Sequence, residues 1–218
     1  MILARLQGLL ERIYEIEPAL SVEDFLITDA GLARSLDSAR PAREKLLVAE
    51  SADGIDLALY VDQGVLDELA SDDPTERLHD GNLASFWIAL EGVSHFLYLT
   101  RSATYGRSVS LLELELQAEI DKYVATLFLL SRQAGAGVPA RLHAWLFDRP
   151  AFDASLDGEC LERYRRANRY AGRYCRHLNH RFFSARHGRG LMAELRRFYR
   201  LPQHRKIRHI DTSTRLFA

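Results

Sequence analysis

The sequence predicts an α+β protein that is dominated by helices, with a small antiparallel sheet packed on a central helix pair and a basic helical C-terminal region. Apolar residues recur at helical spacing over much of the 218 residues. Two β-capable runs flank the pair Asp53-Gly54, which is typical of a hairpin turn. Two long helical patterns then follow each other between residues 86 and 130, and they predict the central pair.

The N-terminal third is predicted to alternate helix and strand. Apolar residues from Ile2 to Ile16 repeat every three or four positions and stop before Pro18, which predicts an amphipathic helix. The short apolar run Phe25–Ile27 lies between turn residues and predicts a strand. The predicted elements of this part are a helix over 2–16, strands over 21–29, 44–51 and 54–62, and a helical turn over 64–70.

The rest of the chain is predicted to be helical. The two long helices, Phe86–Leu99 and Val109–Leu130, are joined by a short loop that contains Gly106. Two glycines and a proline in residues 133–139 predict the end of the second helix and a linker. We therefore expect a body over 1–138 and a basic helical region over 139–218, which either packs on the body or forms a separate domain. Within it, helical patterns cover about 141–147, 159–183 and 191–201.

The net charge of −1 conceals a strong asymmetry. Residues 1–158 carry 13 Lys and Arg against 26 Asp and Glu, whereas residues 159–218 carry 16 against 4. This polarity indicates either an anionic partner for the basic region or an acidic surface on which it docks. Two cysteines are too few for a disulfide framework, and no apolar run reaches the ~18 residues of a membrane span. A soluble cytoplasmic protein without membrane contact is expected.

The helix pair carries the most suggestive cluster of polar residues. Glu91 and His95 are four positions apart on the first helix, so they share a face. With Leu116 at the centre of the second helix's apolar face, Glu113 and Glu119 each fall within about 60° of it. The candidate metal ligands are therefore Glu91, His95, Glu113 and Glu119, with Gln117 and Asp121 lining the site.

The order of the predicted elements resembles the zincin fold of metallopeptidases, in particular the gluzincin and ImmA-like peptidases. A strand and a hairpin precede a helix with a histidine and then a helix with acidic residues. The run QAEIDKYVATLFLL resembles the second helix of ImmA-like peptidases, with Asp121 and Tyr123 on its polar and aromatic positions. In such families the first helix carries HExxH, whose histidines bind zinc and whose glutamate activates water.

Carried over residue by residue, the resemblance implies a degenerate site. His95 stands at the second histidine of HExxH, while Glu91 replaces the first and Gly92 replaces the glutamate. The second-helix ligand position is Gln117, a neutral amide and a poorer zinc ligand than a carboxylate. Since glycine cannot accept a proton, no residue is assigned to catalysis. The resemblance thus implies a zincin-like protein without peptidase activity or a required cofactor, with an interaction or regulatory role through a protein partner or self-association.

Two alternatives stay open for the helix pair. Glu91 and His95 with one second-helix glutamate form a legitimate ligand set for zinc, manganese or iron, which would allow a metal-dependent hydrolase. Without a metal, Glu91 would pair with His95, and the second-helix acids would pair with arginines such as Arg101 or Arg107.

The basic region offers a further hypothesis. Arginines along one face of the helix over 159–183, with Tyr170 and Tyr174 four apart, could follow a phosphate backbone while the rings stack on bases. The alternative is charge pairing with the acidic body or with a partner protein. The arginines expected to bind an anionic partner are Arg166, Arg169, Arg173 and Arg176.

Overall fold

The fold is helix-dominated α+β, with a three-stranded mixed sheet packed against α4. A computed structural model describes residues 1–17, 20–37, 42–51, 54–134, 142–148, 150, 157–183 and 190–214. The strands are β1 (Leu26–Ile27), β2 (Glu44–Ser51) and β3 (Gly54–Val61). The helices are α1 (Ile2–Tyr14), α2 (Ala30–Leu36), α3 (Gln63–Ser71), α4 (Leu83–Thr104), α5 (Leu111–Ala134), α6 (Gly158–Leu178), α7 (Leu191–Tyr199) and α8 (Gln203–Thr214).

The predicted hairpin is confirmed, but the sheet is mixed and not purely antiparallel. Strand β2 pairs with β3 in antiparallel register, from Glu44 opposite Val61 to Ser51 opposite Gly54. Strand β1 pairs with the other edge of β3 in parallel, with Leu26 opposite Leu59. The difference arises because the chain leaves β1 through α2 and returns along β2, so β3 runs in the direction of β1.

The strand predicted over 21–29 is reduced to two residues. Residues Val22–Phe25 form a 3₁₀ turn instead, which begins where the Ser21 hydroxyl accepts a hydrogen bond from the Glu23 amide. Asp29 then caps α2, a helix that the sequence pattern did not predict, because its carboxylate accepts hydrogen bonds from the Gly31 and Leu32 amides. Local capping by short polar side chains therefore outweighs the β propensity of the apolar run.

Helices α4 and α5 form the predicted central pair. Helix α4 packs against α1, α3 and the sheet on one side, and α5 packs against α6 on the other. One continuous apolar core runs through these layers and includes residues from α1 to α8. Representative members, each at most 1% exposed, are Leu6, Leu59, Phe96, Leu116, Tyr174 and Ile210.

The C-terminal region is helical, as predicted, with different boundaries. Helix α6 continues into a π-helical turn, Asn179–Phe183, and a second π-helical turn, Ala144–Asp148, occupies the segment predicted as a short helix. Helix α8 covers a stretch for which no helix was predicted. Most of the predicted linker over 133–139 and the apolar end at Leu216 and Phe217 lie outside the described residues. In the described chain, every helix is too short or too polar to cross a bilayer.

Candidate metal centre

Three side chains from α4 and α5 converge on a group that could hold a metal ion. Glu91 and His95 come from α4, and Glu115 comes from the first turns of α5. One ligand atom from each lies within 4.8 Å of the others. His95 and Glu115 are 7% and 6% exposed, so the group is shielded from bulk water. Two carboxylates and an imidazole are a suitable donor set for zinc and for other divalent transition metals.

The local sequence explains why α4 presents these residues inward. Residues on both sides of α4 are buried, because the sheet covers one side and α5 covers the other. Glu91 and His95 are one helical turn apart and therefore project in the same direction. Gly92, between them, allows the sheet to come close to the helix, since a Cβ atom there would lie 2.9 Å from Leu59 Cδ1.

His95 is the centre of the group, and one of its nitrogen atoms has no hydrogen bond. Its Nε2 atom lies 3.6 Å from Glu115 Oε2, at ion-pair distance, and is buried without a hydrogen-bond partner among the described residues. Burial lowers the pKa of His95, but Glu115, Glu44 and Glu91 outweigh this effect and raise the pKa to about 9. The imidazole thus lies in a strongly negative environment, which stabilises its proton and would equally stabilise a metal ion that replaces this proton.

A third carboxylate, Glu44 at the start of β2, faces the same group. Its Oε2 atom is buried and has no hydrogen-bond partner in the described part of the chain. Burial raises the pKa of Glu44 to about 8, with His95 lowering it and Glu91 raising it further. The site therefore draws on the sheet as well as on the helix pair.

Lys122 is the internal cation beside the group. Its Nζ atom lies 2.6 Å from Glu91 Oε2 and donates a 2.9 Å hydrogen bond to Glu119 Oε1. Burial lowers the pKa of Lys122, but the charges of Glu119 and Glu91 prevail and raise it. Glu119 also accepts a hydrogen bond from the Asn168 amide of α6, at 2.9 Å. Glu119 is therefore held by Lys122 and α6 and is not a member of the His95 group.

Helix α6 also contributes side chains next to the group. Arg163 Nε lies 3.8 Å from Glu115 Oε1. The pKa of Tyr164 in the same helix is raised by burial and then by the charges of Glu115, Glu91 and Glu44. The group is thus enclosed by four elements, β2, α4, α5 and α6.

The structure brings together only two of the predicted ligands, Glu91 and His95. Glu113 lies in a different cluster, where its Oε1 atom accepts hydrogen bonds of 2.6 Å from Arg107 Nη1 and from the Tyr98 hydroxyl. The pairing of a second-helix acid with Arg107, which the sequence suggested as the alternative without a metal, is therefore present. The metal-binding roles of Glu113 and Glu119 stay predictions, since both carboxylates have other partners in this structure.

Gln117 and Asp121 belong to a separate buried network. Asp121 accepts hydrogen bonds from the Tyr14 hydroxyl, from Ser94 Oγ at 2.6 Å and from Gln117 Nε2 at 2.7 Å. Lys206 of α8 donates to Gln117 Oε1 at 2.5 Å. These contacts join four helices, so the two predicted site-lining residues connect elements in the core.

The four arginines proposed to bind an anionic partner have different surroundings. Arg173 pairs with Asp211 at 2.9 Å, and Arg176 lies 3.7 Å from Asp148. Arg166 lines a surface cavity of about 430 Å³, and Arg169 is exposed. Two of the four are thus engaged by carboxylates of the chain, and nucleic-acid binding stays a prediction.

Sequence reasoning missed Glu115 and Glu44. Glu115 lies about 100° around the helix from Leu116. If α5 had a single apolar face centred on Leu116, Glu115 would lie on the solvent-exposed side of the helix. The available signal was weak: apolar residues surround Glu115 on every side of α5, as in LLELELQAEI, which is typical of a helix buried on two faces. For Glu44, at the beginning of a strand, the sequence contained no signal of this role.

Comparisons with known proteins identify no family for this chain. No protein-family model matches it, and neither the curated proteins nor the solved structures include a significant match. The fold and the site therefore define a helical protein with a buried Glu/His/Glu group that could hold a metal.

Proposed function

We propose that this protein binds a divalent transition-metal ion through Glu91, His95 and Glu115, in an interaction or regulatory role and without peptidase activity. The observation that carries the proposal is the buried His95 Nε2 atom. It has no hydrogen-bond partner in the described chain and lies 3.6 Å from Glu115 Oε2, in a group whose three ligand atoms all lie within 4.8 Å of one another. A buried nitrogen without a partner costs about 1–3 kcal/mol, which a metal–ligand bond would offset.

The resemblance to zincin-like peptidases supports a metal-binding ancestry but not a peptidase. The position of the water-activating glutamate is Gly92, which has no side chain to accept a proton. The enclosure of the group by four elements also favours a site that stabilises a conformation over one that admits a peptide. If bound, the ion would supply a positive charge that links α4 to α5.

Metal analysis of protein purified without an affinity tag tests the proposal. We expect wild-type protein to retain or take up about one zinc ion per chain and to unfold at a higher temperature with zinc than with a chelator. His95→Ala and Glu115→Gln should each lose most of this binding. The matched controls are His79→Ala, an exposed histidine paired with Asp72, and Glu162→Gln, an exposed acid of α6.

Three results would contradict the proposal. Absence of zinc, manganese and iron binding in the wild type, by metal analysis and by calorimetric titration, would remove the metal-binding function. Cleavage of casein by the zinc-loaded wild type, and not by zinc-loaded His95→Ala, would instead overturn the non-peptidase role. Equal loss of binding in the control variants would show that the bound ion does not lie at this site.

A further inference from the structure

The carboxylate of Glu44 lies directly against α4 between the two ligand residues of that helix. A Cβ atom at position 92 would lie 2.9 Å from Glu44 Oε2 and 2.9 Å from Leu59 Cδ1. Both distances are shorter than van der Waals contact, so any side chain at this position would displace the carboxylate or the leucine. Because Gly92 has no side chain, the Glu44 carboxyl group can occupy the interior of the site.

This position is costly for a carboxylate unless it has a partner. Glu44 Oε2 is buried and accepts no hydrogen bond from the described residues, and His95 Nε2 has none either. These two atoms come from different elements, β2 and α4, and each interacts electrostatically with the other residue's side chain. Two buried polar atoms without hydrogen bonds, one on α4 and one against α4 at Gly92, indicate a ligand that satisfies both.

Resting on the proposed metal binding, we infer that Glu44 is an outer carboxylate of the metal centre. Gly92, which has no side chain, leaves the space that Glu44 occupies. From this position Glu44 orients the ligands Glu91, His95 and Glu115 and strengthens their binding of the ion. The outer position follows from the geometry, because Glu44 is not among the described groups whose ligand atoms all lie within 4.8 Å of one another. Carboxylates in such positions orient ligands and add negative charge, and their loss typically weakens metal binding.

The inference is tested with two variants that remove the carboxylate in different ways. Glu44→Gln keeps the size of the side chain and replaces the carboxyl group, which an ion could ionise, by a neutral amide. Gly92→Ala changes no acidic residue but adds a Cβ atom that would displace the Glu44 carboxyl group or Leu59. Zinc affinity is measured by competition with a chromophoric chelator, and the absorption spectrum of Co²⁺-loaded protein reports the ligand geometry. We expect both variants to bind zinc roughly 10- to 100-fold more weakly than the wild type and to shift the Co²⁺ spectrum.

Matched controls separate this role from general effects on the fold. Asp56→Asn removes an exposed carboxylate of β3, five positions along the strand from the partner of Glu44, or about 17 Å away. Gly8→Ala adds a Cβ inside α1, where the nearest atom is the flexible end of Arg12 at 3.3 Å. Both controls should keep the affinity and the spectrum of the wild type.

The outcomes distinguish a failure of the proposed metal binding from a failure of the role of Glu44. A wild type that binds neither zinc nor Co²⁺ overturns the proposed function, and with it the role of Glu44. A wild type that binds both, beside a Glu44→Gln variant with unchanged affinity and spectrum, overturns the role of Glu44 alone. If Gly92→Ala does not fold, as judged by circular dichroism, Glu44→Gln decides by itself.

Discussion

At the scale of single residues, the balance of charge around His95 depends on Lys122. Its ammonium group contacts Glu91 and Glu119 at 2.6 and 2.9 Å, and all three side chains are largely buried. Removing one partner of a buried ion pair typically costs about 3–5 kcal/mol, because the remaining charge has no compensation. Lys122 therefore stabilises the metal-free protein and opposes a second cation near Glu91.

This balance predicts opposite effects of Lys122→Met on stability and on metal binding. We expect the metal-free variant to lose about 3–5 kcal/mol of its free energy of unfolding, measured in urea with a chelator present. Zinc should then stabilise the variant more than the wild type, because the negative charge of Glu91 has lost its partner Lys122 and the ion can neutralise it. Thermal unfolding with and without zinc measures this difference.

The control is Arg5→Met, which removes an exposed cation paired with Asp73. Exposed ion pairs contribute about 0–1 kcal/mol, so this variant should stay close to the wild type in both measurements. A Lys122→Met variant that zinc stabilises less than the wild type would contradict the proposed competition between Lys122 and the ion.

At the scale of secondary-structure elements, the sequence patterns located the hairpin and the helix pair, but they did not assign every buried residue. The hairpin of β2 and β3 and the pair of α4 and α5 follow directly from their patterns. Helix α5 is different, because α4 covers one side and α6 covers the other. Glu115 then becomes buried on a face that periodicity assigns to water, and this depends on the placement of α6, which the sequence of α5 does not contain.

The network around Asp121 shows how strongly these elements depend on each other. Burial raises the pKa of Asp121 to about 6, while hydrogen bonds from Ser94, Tyr14 and Gln117 lower it. Tyr14 belongs to α1, and its ring also stacks on Tyr199 of α7 with centroids 4.1 Å apart. One hydroxyl group thus connects α1 to the carboxylate at the centre of α5.

We expect Tyr14→Phe to keep the stacked ring and lose this connection. The free energy of unfolding should fall by about 1–3 kcal/mol, because a buried carboxylate loses one of its donors. The loss should be larger at pH 8 than at pH 5, since Asp121 is ionised only above its pKa of about 6. Tyr105→Phe is the control, because Tyr105 is 72% exposed and should change stability by less than about 0.5 kcal/mol. An equal loss at both pH values would mean that Asp121 is not the group affected.

At the scale of the whole molecule, the charge asymmetry of the sequence is partly resolved by contacts between the basic region and the body. Arg196 lies 3.3 Å from the Glu15 carboxylate at the end of α1, and Arg163 approaches Glu115. Other arginines pair within the basic region, as Arg173 does with Asp211. Specific ion pairs thus support the hypothesis that the basic region docks on the acidic body. Arg169 and other exposed arginines still leave the surface of α6 basic.

Lys206 anchors α8 in the core, and its burial makes the free energy of unfolding depend on pH. It is fully buried in α8, and its Nζ atom lies 4.2 Å from the centre of the Tyr98 ring and donates to Gln117. Burial lowers the pKa of Lys206 to about 7, although Glu113 and Asp121 of α5 raise it and Arg107 lowers it. In the unfolded chain the pKa of a lysine is about 10.4. Between about pH 7 and this value, the unfolded chain therefore binds more protons than the folded chain.

Stability attributable to Lys206 should therefore rise with pH from about 7 to 10, by at most about 1.4 kcal/mol per pH unit. We expect the difference in free energy of unfolding, wild type minus Lys206→Met, to increase steadily between pH 7 and pH 9.5 in urea titrations. Groups common to both proteins, such as His95 and Glu44, cancel in this difference. Arg208→Met, which removes an exposed cation of the same helix, should give a difference that is independent of pH. A difference for Lys206→Met that is flat or falls with pH would show that the buried ammonium keeps its proton, with the carboxylates of α5 outweighing its burial.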